Sequence, residues 1–467
     1  MATHTGEIAT FTGTKTAHQS LVSFNSFLRI AAVLALTLSA AAGFASSKEI
    51  VIHQFSGGDG TDPAGGLFID AKGNMFGTAQ NGGAGTACLN GCGVVFELVP
   101  IGNGHFQYRI IHDFLSGLDG ALPQTTLTMD AAGNLYGTTT QGGKGGLTTS
   151  CFNGCGTVFM LSPTPEGHWS ERVLHRFQGL TDGRIPIDGV TMDAAGNLYG
   201  VTEFSDNTTL YIGEVYELAL IHGKYHFKNL HNFLPRSDGY FPLSGVVLDS
   251  AGNLYGSTQF GGRAAGCFQQ GCGVVYELSP SATGSWNETI LTEFPSLGGD
   301  PGSIPSGRVV LDSAGNLYGT AKYGGFVSVN CTSQGGCGTI FKLSNVGGTW
   351  QRTTLHFFGQ APGDGQNPQG RLTVDAAGNI YGTTEFGGNG TTRGIVYKLS
   401  PESDGSFTYN PLHSFVLISE GSLPWAGVTP DPSGNLWGTT FYGGNQQSSG
   451  DGYGVVFEIT PGSEEKE

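Results

Sequence analysis

Short runs of alternating apolar and polar residues fill this chain, each bounded by Gly, Pro, Asn or Asp. The period of two predicts β-strands, and the spacing of the punctuating residues predicts tight turns. The runs recur in a fixed order. An LHxF-like strand such as Val173 to Phe177 comes first, followed by a DG-containing loop (Asp182-Gly183) and a proline (Pro186). A short apolar strand ending in Asp follows, then a GN turn and an LYGTT strand. A Gly-rich loop then leads to a last strand such as GTVFMLSP, which starts at Gly156.

DAAGNLYG or a near copy begins at Asp70, Asp130, Asp193, Asp249, Asp312, Asp375 and Asp431, at successive spacings of 60, 63, 56, 63, 63 and 56 residues. Four strands in each of seven units predict an all-β fold, a seven-bladed β-propeller with four antiparallel strands per blade. The propeller is expected over residues 46–467, with inner-strand repeats starting near 66, 126, 189, 245, 308, 371 and 427. In D-A-A-G-N the Asp suits the first position of a type I turn and Gly supplies positive φ at its end. The seven Asp residues are therefore expected to serve their own turns. A calcium site is the alternative, but one carboxylate per loop falls short of the six to eight oxygens such a cation takes.

If the Asp-ending strand is innermost, the LHxF strand is outermost. Ile50 to Phe55 then precedes any inner strand of its own and should lie beside Gly454 to Thr460, closing the ring and removing an open sheet edge.

The pattern LHxF…DG…P…LxxDAAGNLYGTTxxGG…GxVFxLSP resembles the GloVer (gloeo/verruco) tandem-repeat family of exported bacterial β-propeller-like proteins, over nearly all of residues 48–461. The resemblance implies an exported repeat protein and brings no established activity with it. Members of that family vary in surface anchor, and this sequence shows no recognisable one.

Composition agrees with a sheet protein: 79 of 467 residues are Gly, which is costly inside helices, and 29 Phe with 16 Tyr favour strands. A net charge of −16, with no basic cluster, argues against a nucleic-acid partner. Residues 1–45 read as a signal peptide: Lys15 and Arg29 precede an apolar run from Ile30 to Phe44, and Gly43 and Ala45 suit cleavage after Ala45. The run is short for a membrane span, the alternative reading being a retained anchor. No other span is expected, and the mature chain is expected to be a monomer, secreted, periplasmic or at the cell surface.

The eight cysteines form four local pairs, Cys88/Cys92, Cys151/Cys155, Cys267/Cys272 and Cys331/Cys337, each between the LYGTT and GxVF strands. In an exported chain these read as loop disulfides. Zinc would need four ligands where each pair offers two. His53, His112, His175, His231, His356 and His413 recur in the LHxF strand, with Thr292 in the seventh place. Carried on separate outer strands, they are expected to be structural, and no metal or cofactor is expected.

Strand direction puts the DG…P connection and the Gly/Cys loop on one face and the GN turns on the other. The first face is where binding loops are expected. Just after LYGTT, five units carry an aromatic, Phe204, Phe260, Tyr323, Phe386 and Tyr442, where Asn81 and Gln141 stand in the others. Where the inner strand begins, Asp188, Arg308 and Arg371 break a small-residue pattern, with Trp425 nearby. Packing between blades is the competing role for the aromatics. The sequence thus predicts a non-enzymatic binding or cell-surface structural module, its ligand a glycan or protein at the loop-rich face. The alternative is a lyase or hydrolase acting on a polysaccharide or lactone, with Asp188, Glu203 and Glu385 as acid/base candidates and Arg308 and Arg371 holding an anion. No G-x-S-x-G or H-E-x-x-H signature is present. Sequons at Asn207, Asn287, Asn330 and Asn389 read as ordinary loop composition.

Overall fold

The computed structural model describes residues 47–143, 151–179, 181–205, 212–234, 237–263, 267, 271–294, 296, 299–328, 331–332, 335–388, 393–444 and 450–462, with residues 299–301 described for backbone alone. The predicted signal segment, and the sequons at Asn207, Asn330 and Asn389, lie outside them.

Seven antiparallel sheets form the blades of a propeller. In blade one the strands run outward in chain order: Phe68–Ile69, Met75–Ala79, Val94–Gly102 and His105–Asp113. Blades two to six repeat this order from the axis to the rim. In blade seven the outermost strand is Lys48–Gln54, paired antiparallel with Val455–Thr460, so the first strand of the fold completes the last blade.

Each GN turn forms as its residues dictate. In blade two, Asp130 N–H donates to the Asn134 carbonyl and Gly133 N–H to the Asp130 carbonyl, with Gly133 at φ +83°. The Asp130 carboxylate accepts the backbone N–H groups of Ala132 and Asn134, the Asn134 side-chain amide and the Tyr136 hydroxyl. These hydrogen bonds hold its carboxyl below the usual range against the opposing effect of burial. Equivalent bonds recur at Asp193, Asp249, Asp312 and Asp375, so these carboxylates serve the turn.

Apolar residues gather into seven clusters, one at each blade interface. The LHxF phenylalanine anchors each of them. Phe55, Phe114, Phe177, Phe233, Phe294, Phe358 and Phe415 are fully buried. Each meets an aromatic of the next blade's third strand edge-on, as Phe114 meets Phe159 at 5.2 Å between ring centres and Phe233 meets Tyr276 at 5.0 Å. Aromatic pairs of this geometry add about 0.5–1.5 kcal/mol beyond the area they bury.

A second lock joins the blades nearer the loop face. The glycine opening each third strand backs onto the next blade's proline: a Cβ on Gly338 would lie 2.4 Å from Pro368 Cδ, and one on Gly93 would lie 2.4 Å from Pro123 Cδ. The residue before that proline has positive φ in all seven blades: Asp62, Leu122, Ile185, Phe241, Ile304, Asn367 and Leu423 lie between 55° and 61°. Proline normally drives its predecessor to extended backbone, so tertiary contacts hold this conformation. Leu122, for example, donates its N–H to the Cys92 carbonyl of the blade before and accepts the N–H of Thr140.

All four cysteine pairs are disulfides, with Cα atoms 5.1 to 5.3 Å apart and no free cysteine. Each bridge ends beside the carbonyl that receives the pre-proline N–H: Cys92 to Leu122, Cys155 to Ile185, Cys272 to Ile304 and Cys337 to Asn367. Full pairing is the pattern of a chain that matures in an oxidising extracellular or periplasmic environment. No helix among the described residues is long and apolar enough to cross a membrane.

Candidate functional site

The two residues after each proline lead the chain to the axis, where residues from all seven blades line a cavity of about 200 Å³ on the loop-rich face. Immediately after the proline stand Ala64, Gln124, Ile187, Leu243, Ser306, Gln369 and Trp425, one per blade, and all of them line it. Turn and interface positions repeat from blade to blade, but this ring carries a different set of shapes and polarities.

Asp188, Arg308, Arg371 and Trp425 are brought together in this lining. Asp188 sits at a bulge in the inner strand Arg184–Met192, where the register shifts between Ile187 and Thr191. Asp188 and Gly189 there have φ of +58° and +75°, a conformation Asp adopts more readily than most side chains. Arg308 Nε donates to Asp188 Oδ2 at 2.8 Å, and its Nη2 donates to the Asp188 carbonyl. Gly245 N–H donates to the same carboxylate oxygen at 2.8 Å. Arg308 crosses blade four to make this pair, and a Cβ on Gly245 would collide with its guanidinium. The Arg308 side chain is 6% exposed and that of Asp188 23%, which makes this a shielded pair.

Arg371 holds the equivalent place on blade six, and its backbone bridges Gly427. Among the described residues its guanidinium has no hydrogen bond or ion pair. The side chain is open to channel water yet ringed by protein. Desolvation, and then the like charge of Arg308, lower its pKa to about 10 while Asp188 pulls it up, so it stays cationic at neutral pH. Trp425 lies 4.1 Å from Phe441 between ring centres, and its buried indole N–H has no partner among the described residues.

The other candidates lie off this lining, and for the five aromatics strand alternation explains why. Phe204, Phe260, Tyr323, Phe386 and Tyr442 pair across the sheet with Arg184, Tyr240, Ser303, Gln366 and Ser422. Phe260 stacks on Tyr240, while Phe204 meets Phe241 edge-on and the Arg184 guanidinium at 4.8 Å. Tyr442 lines a separate groove above the closure of blades seven and one, with Leu89 and Tyr453. Residues one place earlier turn towards the axis: Gln80 lines the cavity, Lys322 donates to Gln369 Oε1 at 2.5 Å, and Phe441 packs on Trp425. Glu385, also in that place, pairs with Lys322 at 3.0 Å. Glu203 is half-buried, and burial pushes its carboxyl up to about 7 despite Arg184.

Sequence reading missed Gln80, Gln124, Gln369, Lys322 and Phe441. Aligning the units on their prolines, and counting alternation from LYG, would have found all five.

The histidines stay at the rim. His53, His112, His175, His231 and His356 each face the Asp of their own DG loop, at 3.0 to 3.4 Å. That Asp also accepts loop N–H groups, as Asp119 accepts that of Leu115. Two interfaces add a glutamate from the next blade. His112, Asp119 and Glu171, and His231, Asp238 and Glu288, each bring their ligand-type atoms within 4.8 Å. Burial foremost, with the neighbouring Asp, pushes Glu171 and Glu288 up to about 7. Burial, and then the like charge of Glu420, also push Glu49 up to about 7.

Residues 145–330 and 265–466 match the Gloeobacter/Verrucomicrobia repeat family. The chain belongs to that family. No curated protein matches it in sequence. Among solved structures it is similar to an ancestral GH74 enzyme, at 12% identity and a TM-score of 0.51, covering 86% of this chain and 48% of that one. The propeller thus spans about half the length of that enzyme. A hypothetical selenium-binding protein from Sulfolobus tokodaii matches at 12% identity and a TM-score of 0.47, over 80% of this chain and 91% of its own. At such identity the GH74 likeness shows the fold alone.

Proposed function

We propose that this Gloeobacter/Verrucomicrobia repeat protein is an exported, non-enzymatic binding module that takes a glycan or protein ligand at the axial mouth of its loop-rich face. One observation carries the reading. The seven residues that follow the prolines vary at the mouth, with only glutamine (Gln124 and Gln369) occurring twice, while the turns, interface aromatics and pre-proline backbone repeat around the ring. Repetition serves the scaffold, and departures from it gather where a ligand would enter.

The acid/base alternative needs two carboxylates at the reacting bond. Asp188 is the one acid in the cavity lining among the described residues, and it is bonded to Arg308. Glu385 is paired with Lys322. This favours binding over hydrolysis.

A glycan-array and pull-down screen of the mature protein tests the reading. Capture of a ligand that Trp425→Ala loses, and Leu89→Ser at an exposed loop tip keeps, is the expected result. Turnover of a polysaccharide or lactone by the wild type, abolished in Glu203→Gln, would overturn it.

A further inference from the structure

The axial mouth holds a cation without a counter-ion. Arg308 and Arg371 occupy the same place on adjacent blades, but only Arg308 is paired. Two arginines against the single carboxylate of Asp188 leave the cavity lining with one net positive charge (2 − 1 = +1), within a protein of net charge −16. Arg371 is open to channel water, beside the like charge of Arg308 and with no partner of its own among the described residues, so its guanidinium is free to take an anion. A single uncompensated charge beside the Asp188 carboxylate suits a monoanion better than a dianion.

The walls narrow the choice. Trp425, backed by Phe441, offers an aromatic face. Gln124 and Thr126 line the same cavity with amide and hydroxyl groups, and Gln369 is fixed by Lys322. An aromatic face, neutral hydrogen-bonding groups and one guanidinium match a sugar ring bearing a carboxylate. The cavity admits one ring, not a chain lying across it.

We infer that the mouth binds the terminal uronate of an acidic glycan, its carboxylate on Arg371 and its ring against Trp425. This rests on the axial-mouth binding reading and specifies its ligand. Calorimetry with oligogalacturonate, its methyl ester and a neutral cello-oligosaccharide, on the mature protein, tests it. Oligogalacturonate binds, and esterification or Arg371→Gln weakens binding about tenfold or more, the scale of one charge-assisted hydrogen bond. Arg371→Lys recovers part of the loss, raised salt weakens wild-type binding, and thermal melts verify that both variants are folded.

Equal binding of the ester, or neutral-glycan binding that Trp425→Ala abolishes and Arg371→Gln leaves unchanged, overturns the uronate and leaves the mouth as the binding site. Capture of carboxylate-terminated peptides in place of glycans overturns the sugar. Oligogalacturonate binding that survives both Arg371→Gln and Trp425→Ala overturns the site itself.

Discussion

Arg308 on blade five reaches Asp188 on blade three across the intervening blade, 120 residues apart in sequence and 2.8 Å apart in space. The pair ties together blades that are not neighbours in the ring and occupies one of the two arginines at the axial mouth. Asp188→Asn removes the negative partner and leaves the Arg308 guanidinium shielded and uncompensated. Losing one member of a buried pair costs about 3–5 kcal/mol, and the partial exposure of Asp188 places this substitution at or below the low end. Chemical denaturation should show that loss, and Asp188→Asn with Arg308→Met should recover most of it. A double variant as unstable as the single would mean that the arginine stem, not the charge, matters.

The glycine–proline lock should be intolerant of a single methyl group. Gly338 has φ of +100°, and its Cβ would meet Pro368. Gly338→Ala is expected to cost about 2 kcal/mol or more, combining backbone strain with a displaced neighbouring blade. Gly348→Ala, in the exposed turn between the last two strands of the same blade, has positive φ without a close contact and should cost less. Comparison of the two melting curves separates contact from conformation.

Stability should fall between about pH 5 and 8. Glu49, Glu171 and Glu288 have folded-state values of about 7 against 4.5 for the free group, so the native state holds more protons in that window. Their neutral forms are compatible with the interfaces, and that compatibility is lost as pH rises through about 7. The turn residues Asp130, Asp249 and Asp312 act oppositely, since their lowered values stabilise above the usual Asp range and stop doing so in stronger acid. Melting temperatures across pH should peak near pH 5, and Glu171→Gln with Glu288→Gln should flatten the alkaline side. A flat wild-type profile from pH 5 to 8 would exclude this account.

Removing residues 47–54 should convert a closed ring into an open one. Val455–Thr460 would then present an unpaired strand edge. Light scattering should detect association of the shortened protein under conditions where the complete propeller does not associate. Adding a synthetic peptide of that strand should reverse it.

Much of this architecture was legible because each unit spells out its own turns. D-A-A-G-N names a hydrogen-bonded corner, the cysteine spacings name local bridges, and Ile50 to Phe55 had no inner strand to join except that of the last blade. The pre-proline backbone was hidden. A positive φ at Leu122 or Ile185 contradicts the local preference and exists because the preceding blade supplies a carbonyl. Arg308 and Arg371 looked alike in sequence, and only the bulge at Asp188 decides which of them is free. The aromatics after LYGTT were conspicuous as a pattern, but alternation turns Tyr442 away from the axis and sends Phe441 beside Trp425.

The pairing of Lys48–Gln54 with Val455–Thr460 also sets a clock for folding. The strand that seals the ring is the first part of the propeller to be made, and its partner is the last. Six blades can form and stack in order of synthesis through contacts between neighbours, but the first-made strand must wait unsatisfied until the seventh is complete. The entropy of joining such distant segments grows only slowly with separation, so the cost lies in waiting more than in closing. During that interval the waiting strand and the open blade are both exposed to intermolecular pairing, and the speed of the final blade governs the yield of closed rings.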